Sequence, residues 1–163
     1  MDTTIVIYGS STGTCEAIAE KIASKLGCKA LNVQDFTADI VAANKNLILG
    51  TSTWGAGELQ DDWYDGLKML QAADLSGKTI ALFGCGDCST YSDTFVGGMG
   101  ELYNGIKDSG AKFVGSVETD GYTFDDSEAV INGKFVGLPL DDINEDDKTD
   151  TRIEAWLAAL PLI

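Results

Sequence analysis

Histidine is absent from this chain, arginine occurs once (Arg152), and 11 basic residues face 26 acidic ones, for a formal net charge of -15. A surface this acidic repels phosphate backbones, which argues against nucleic acid and anionic membrane as partners. It steers basic protein faces instead, an attraction that fades as salt rises. Cysteine is also sparse. Cys15, Cys28, Cys85 and Cys88 do not make the dense framework of a small secreted domain, so reduced thiols are expected. No long apolar run occurs at the start: "MDTTIVIYGSS" has no basic leader, and its hydrophobic stretch is too short for a signal peptide or a membrane span. A soluble, intracellular protein is the expectation. Low-complexity tracts, internal repeats and Pro/Gly/Ser linkers are missing too, which leaves 1–163 as a single domain.

What is present is ordinary globular material, with 44% hydrophobic and 23% charged residues. At this length folding buries roughly two-thirds of the chain's surface, enough for a proper core. "TTIVIY" (Thr3 to Tyr8) is β-branched and stops at Gly9, the pattern of a strand entering a turn. "CKALNV" is a weaker second strand. "KNLILGT" (Lys45 to Thr51) and "KTIALFG" (Lys78 to Gly84) are continuously apolar, as strands covered on both faces of a parallel sheet should be. "AKFVGSV" (Ala111 to Val117) supplies a fifth.

Helical patterns lie between them. Ile18, Ile22 and Leu26 mark one apolar face that ends near Gly27. Further helices are expected within Gln60 to Gln71, from about Thr94 to Ser109, and from Thr149 to Leu160. Alternating strands and helices predict a parallel α/β sheet with right-handed crossovers. The stretch from Glu118 to Asp147 breaks this rhythm. Its "DG" and "NG" turn signals and short apolar runs predict a loop or small hairpin excursion at the sheet edge.

Ligands of open α/β sheets sit beyond the carboxyl ends of the strands, which brings together three loops of unusual composition. The first, Gly9 to Cys15, offers the hydroxyls of Ser10, Ser11, Thr12 and Thr14, with Gly13 letting the backbone pass close. The N–H groups of the following helix complete an anion site. It has neither the lysine-bearing P-loop motif nor G-x-G-x-x-G, so a single phosphomonoester held by neutral donors fits it best. The second loop, "TSTWGAGEL", places Trp54 between glycines without apolar company. The third, "CGDCSTYSD", presents Tyr91 among small polar residues. Two aromatics beside a monophosphate site describe a slot for a flat ring system.

These three stretches, Ser10-Ser11-Thr12-Gly13-Thr14-Cys15, Thr51-Ser52-Thr53-Trp54-Gly55-Ala56-Gly57-Glu58-Leu59 and Cys85-Gly86-Asp87 followed by Tyr91, resemble the FMN-binding loops of flavodoxins. The resemblance covers the whole chain. "GELYNGIKDSGAKFVGS" and the excursion after the fifth strand resemble the long-chain branch. It implies an α/β flavodoxin-like three-layer sandwich, with a five-stranded parallel sheet in order 2-1-3-4-5 whose fifth strand is interrupted by an insertion. It also implies a monomeric, cytoplasmic, low-potential one-electron carrier and not an enzyme, whose non-covalently bound FMN shuttles between semiquinone and hydroquinone. By the same resemblance the first loop holds the phosphate without a counter-charge, and Ser52, Thr53, Ala56, Gly57, Cys85 and Gly86 belong to the cofactor site. Trp54 and Tyr91 sandwich the ring, Asp87 meets its pyrimidine edge, and Gly55 sits where a peptide turns over on reduction. Implied partners are redox proteins with basic faces, such as ferredoxin-NADP reductase and, in photosynthetic settings, photosystem I. They would be steered by Glu58, Asp61, Asp62, Asp65 and Asp93.

Two positions depart from the family pattern. Cys15 replaces the usual threonine with a weaker donor, which predicts lower phosphate affinity. Gly55 replaces an asparagine frequent in the branch, which eases the peptide turn. Other readings fit the residues less well. Cys85-Gly-Asp-Cys88 is formally C-x-x-C, but a zinc site lacks its second pair and any histidine, and a thioredoxin motif belongs after the first strand. An FMN-dependent quinone or NAD(P)H reductase on the same fold usually carries cationic or histidine groups for the phosphates of the hydride donor, and this chain has one arginine, Arg152, and no histidine. A phosphoacceptor receiver needs carboxylates where the first strand ends in Tyr-Gly-Ser and the third ends in Thr51.

Overall fold

The computed structural model describes residues 4–9, 13–54, 58–59, 62–86, 94–142 and 144–161, with residues 54, 58 and 59 described as backbone. Along the chain the elements are β1 (Thr4–Gly9), α1 (Thr14–Leu26), β2 (Lys29–Asn32), a 3-10 turn (Val33–Asp35), α2 (Ala38–Ala43), β3 (Asn46–Trp54), β4 (Glu58–Leu59), α3 (Trp63–Ala72) and β5 (Thr79–Cys85). They continue with α4 (Gly97–Ile106), β6 (Lys112–Val114), β7 (Val117–Glu118), β8 (Val130–Ile131), β9 (Lys134–Phe135), β10 (Leu138–Leu140) and α5 (Asp146–Ala159).

The main sheet runs β2, β1, β3, β5, and then β6 and β10 share the place beside β5. These pairings are all parallel, so the expected order 2-1-3-4-5 is the observed one. Side chains alternate between two cores because successive strand residues point to opposite faces. Ile7, Leu47, Leu49, Ile80 and Leu82 pack with Trp63 and Leu70 of α3 and Met99, Leu102 and Ile106 of α4. Val6, Tyr8, Ile48, Ala81 and Phe83 pack on the other face with Cys15, Ile18, Ala19 and Ile22 of α1 and Ile153 and Trp156 of α5. Helix, sheet and helix thus form the three layers. Two ion pairs, Lys21 with Asp150 at 2.6 Å and Lys25 with Glu154 at 3.2 Å, tie the outer surfaces of α1 and α5 together.

The fifth strand is interrupted by an insertion, as expected, but its bounds differ from the sequence reading. Only Lys112–Val114 of the expected strand pairs there, against Thr79, Ile80 and Ala81. The chain then leaves to build a separate antiparallel sheet, β7-β9-β8, and returns as Leu138–Leu140 beside Phe83, Gly84 and Cys85. The interruption is therefore internal to the strand, and the excursion ends before Leu138, earlier than Asp147. Pro139 is tolerated because, among the described residues, β10 pairs only with β5 and stands at an edge. The "NG" signal is a turn between β8 and β9 with Asn132 and Gly133 both at positive φ. Phe95, Tyr122, Phe124 and Phe135 form a ring cluster with centroids 5.1–6.3 Å apart that roots the inserted sheet in the core. Arg152 of α5 stacks 4.0 Å above the Tyr122 ring, donates to the Gly121 carbonyl at 2.9 Å, and pairs with Glu145 at 3.0 Å.

Candidate functional site

Parallel register carries three strand ends to one edge. Gly9 is level with Thr51, Thr51 with Gly84, and Ser52 with Cys85, so the loops that follow β1, β3 and β5 leave the sheet side by side. β10 supports the third of them, pairing Leu140 with Cys85 and accepting the Gly86 N–H on the Leu140 carbonyl at 2.9 Å. β4 pairs antiparallel with the end of β3, Leu59 beside Thr53 and Glu58 beside Trp54.

The predicted site residues divide accordingly. Gly13, Thr14 and Cys15 lie at the start of α1; Ser52, Thr53 and the Trp54 backbone lie at the end of β3; Cys85 and Gly86 lie at the end of β5. The structure brings these three groups to the same edge. Ser10, Ser11, Thr12, Gly55, Ala56, Gly57, Asp87 and Tyr91 fall outside the described residues, as do Asp61, Cys88 and Asp93.

Gly13 is the residue before α1 and takes a left-handed conformation, φ 89°, that a side chain would strain. Among the described residues a Cβ there would meet nothing within 4 Å, so the requirement for glycine is conformational. Residue 13 supplies no side-chain cap, and α1 presents its first-turn N–H groups and positive dipole end at the sheet edge. Cys15 is fully buried among the apolar side chains of α1 and the sheet. The neighbouring Cys85 thiol and burial together push the Cys15 thiol well above its ordinary range. It stays neutral despite standing at a helix start, and adds no negative charge where an anion would sit.

At the end of β3, Thr53 Oγ1 accepts the Gly98 N–H at 3.2 Å, fastening the start of α4 to the site. Ser52 Oγ is buried and, among the described residues, has no hydrogen-bond partner. A buried hydroxyl left unpaired costs about 1–3 kcal/mol, so its position marks a place where a polar group of a ligand can contribute. Neutral helix N–H groups, a neutral thiol and an unpaired hydroxyl suit a phosphate ester with a hydroxylated tail. On these observations the residues present fit FMN.

Two local features were not anticipated from sequence. Val96, fully buried just before α4, has φ 47°, a conformation rarely adopted by a β-branched residue. Tyr8, at the end of β1, donates its hydroxyl to Glu16 Oε2 at 3.2 Å. Burial, and then that hydrogen bond, raise the Tyr8 phenol above its ordinary value, so it remains a donor.

A family model described as "Flavodoxin" matches residues 6–156. Flavodoxin 1 of Azotobacter vinelandii is 49% identical over 162 residues, covering 95% of this chain and 93% of that protein. A flavodoxin of Nostoc sp. is 43% identical over 158 residues, with 95% and 93% covered. Among solved structures, Fusobacterium nucleatum flavodoxin bound to flavin mononucleotide superposes with a TM-score of 0.89 at 34% identity, covering 97% of this chain and 96% of that one.

Proposed function

The chain belongs to the flavodoxin family, and from that premise we propose that it is a low-potential one-electron carrier, not an enzyme, that uses FMN to pass electrons between redox proteins. The observation that carries this reading is the common register of the β1, β3 and β5 ends, which gathers three loops suited to a phosphate, a polyol and a flat ring. When bound, FMN supplies reversible one-electron chemistry. The residues proposed to hold it are Ser10, Ser11, Thr12, Gly13, Thr14 and Cys15 at the phosphate, with Ser52 and Thr53 toward the sugar chain. Trp54, Gly55, Ala56, Gly57, Cys85, Gly86, Asp87 and Tyr91 surround the ring.

The protein's own contribution is to orient and to set the field. Neutral donors grip the phosphate without placing positive charge near a centre that gains electrons. The surplus of 15 negative charges disfavours adding another, which lowers the potential. The partners proposed are basic redox proteins of the ferredoxin-NADP reductase type and, in a photosynthetic cell, photosystem I. Exposed Asp65 and half-buried Asp62 at the start of α3 are among the carboxylates that would steer them, with Glu58, Asp61 and Asp93. Among the described residues no helix is long and apolar enough to cross a membrane. We read 1–163 as one FMN-binding domain working as a cytoplasmic monomer.

Titration of the apoprotein with FMN, followed by quenching of flavin fluorescence, tests the reading. The expected result is saturable one-to-one quenching at micromolar or lower concentration. A colourless protein that leaves the fluorescence unchanged overturns it.

A further inference from the structure

Glu16 holds the only carboxylate in the first turn of α1, and no charged residue precedes it from Thr3 through Cys15. It is the third residue of the helix after Gly13. From that position a carboxylate ordinarily reaches back toward the N–H of the residue before the helix, drawn by the positive end of the dipole. Such a carboxylate would compete with an incoming phosphate for the same corner of the molecule. Lys21, the first cationic side chain in the sequence, is itself paired with Asp150.

Here Glu16 Oε2 instead accepts the hydroxyl of Tyr8. Tyr8 is only 7% exposed and its ring is packed in the core on the α1 face of the sheet, so its hydroxyl is a fixed point. Glu16 itself is exposed. We propose that Tyr8 is a positioning residue for the cofactor phosphate: its hydroxyl holds the Glu16 carboxylate clear of the start of α1, so that the phosphate and not the protein's own side chain occupies that helix terminus. The inference rests on the FMN reading above and adds to it a device that sets selectivity for the phosphorylated flavin.

Riboflavin, which lacks the phosphate, separates this role from a general one. Apoproteins of wild type, Tyr8→Phe, Glu16→Asp, Glu16→Gln and the double variant Tyr8→Phe/Glu16→Gln are titrated with FMN and with riboflavin. Tyr8→Phe is expected to weaken FMN about fivefold, the scale of one charge at a helix terminus, and to leave riboflavin affinity unchanged. Glu16→Asp keeps the charge but is too short to reach Tyr8, so it should behave like Tyr8→Phe without touching the core. Glu16→Gln should bind FMN at least as tightly as wild type, and the double variant should recover wild-type affinity. An unchanged ratio of FMN to riboflavin affinity in Tyr8→Phe and Glu16→Asp, or a double variant as weak as Tyr8→Phe, overturns the proposal. Should Tyr8→Phe fail to fold, the contrast between Glu16→Asp and Glu16→Gln decides alone. Wild type that binds neither flavin refutes the FMN reading itself, which is a different outcome from wild type that binds FMN with no effect of the tether.

Discussion

Gly100 and Gly105 sit in the same helix, α4, and replacing each by alanine should give opposite results. Alanine is favoured over glycine inside a helix by about 1 kcal/mol, so both changes begin with that gain. At Gly100 the added methyl would stand 2.6 Å from the Glu128 carbonyl carbon, 2.7 Å from the Ala129 nitrogen and 2.8 Å from the Glu128 oxygen. That peptide has little freedom to retreat. The Ala129 N–H is held by Ser127 Oγ at 3.1 Å, and the Ala129 carbonyl accepts the Val136 N–H at 2.9 Å. Overpacking against a fixed group costs up to about 3 kcal/mol, which leaves Gly100→Ala less stable by about 2 kcal/mol. At Gly105 the methyl would meet the Leu67 side chain, at 2.7 Å from Cδ1 and 2.9 Å from Cδ2. Leu67 is half-buried and can change rotamer for about 1 kcal/mol, so Gly105→Ala should be close to neutral. For a domain of this size the first variant should melt about 4–8 °C lower and the second within about 2 °C of wild type. Thermal unfolding of the apoproteins by circular dichroism reads both. A Gly100→Ala protein as stable as wild type, or a Gly105→Ala protein that loses as much, would refute the reasoning that rigid backbone rather than crowding decides the cost.

Arg152→Met removes the stack on Tyr122 and the bonds to Gly121 and Glu145; it should destabilise the protein by about 1–2 kcal/mol and raise hydrogen exchange around 119–126, and unaltered protection there would refute the clamp. At Glu145, burial works to raise the carboxyl, but hydrogen bonds from Lys148 and Arg152 outweigh it and hold the group below its ordinary value of 4.5. Its folded value is depressed, so its contribution is complete above that ordinary value and disappears as pH falls through the lower folded one. The stability gap between wild type and Glu145→Gln should therefore narrow on acidification below 4.5, and a gap constant with pH would count against the pairing. Cys15 and Cys85 are buried and Cys28 only partly so, which predicts that a thiol reagent at pH about 8 modifies Cys28 well before the other two, and equal rates would contradict the burial.

The sheet was legible because its strands are covered on both faces: "NLIL" and "TIALF" admit no alternating pattern, and apolar runs of that kind are what a central parallel strand requires. α1 was legible from Ile18, Ile22 and Leu26, with its end at Gly27. α2 was not, since six residues with one buried side chain, Val41, give periodicity nothing to act on. The return half of the interrupted fifth strand, β10, was implied by the family resemblance, but its place was not legible in the residues for a related reason. Three residues containing a proline carry no strand signal, and their place is fixed only by the neighbouring edge of β5. At the site, the loop compositions singled out the segments that follow β1, β3 and β5, whose ends share one edge of the sheet. The burial of Cys15, the unpaired Ser52 hydroxyl and the Tyr8–Glu16 bond depend on how separate segments meet, which spacing along the chain does not encode. Val96 is the sharpest case, because glycines follow it directly and yet the β-branched residue takes the left-handed turn.

Between the rungs occupied by Val114 and Leu138 only Leu82 of β5 intervenes, so both stems of the inserted sheet spring from points roughly 7 Å apart along one margin. A segment whose two roots stand that close behaves as an appendix: its tip at Asn132 and Gly133 can accept a label, an epitope or a fluorescent reporter without altering the spacing of the β1, β3 and β5 ends, provided β10 is left to brace the last of them.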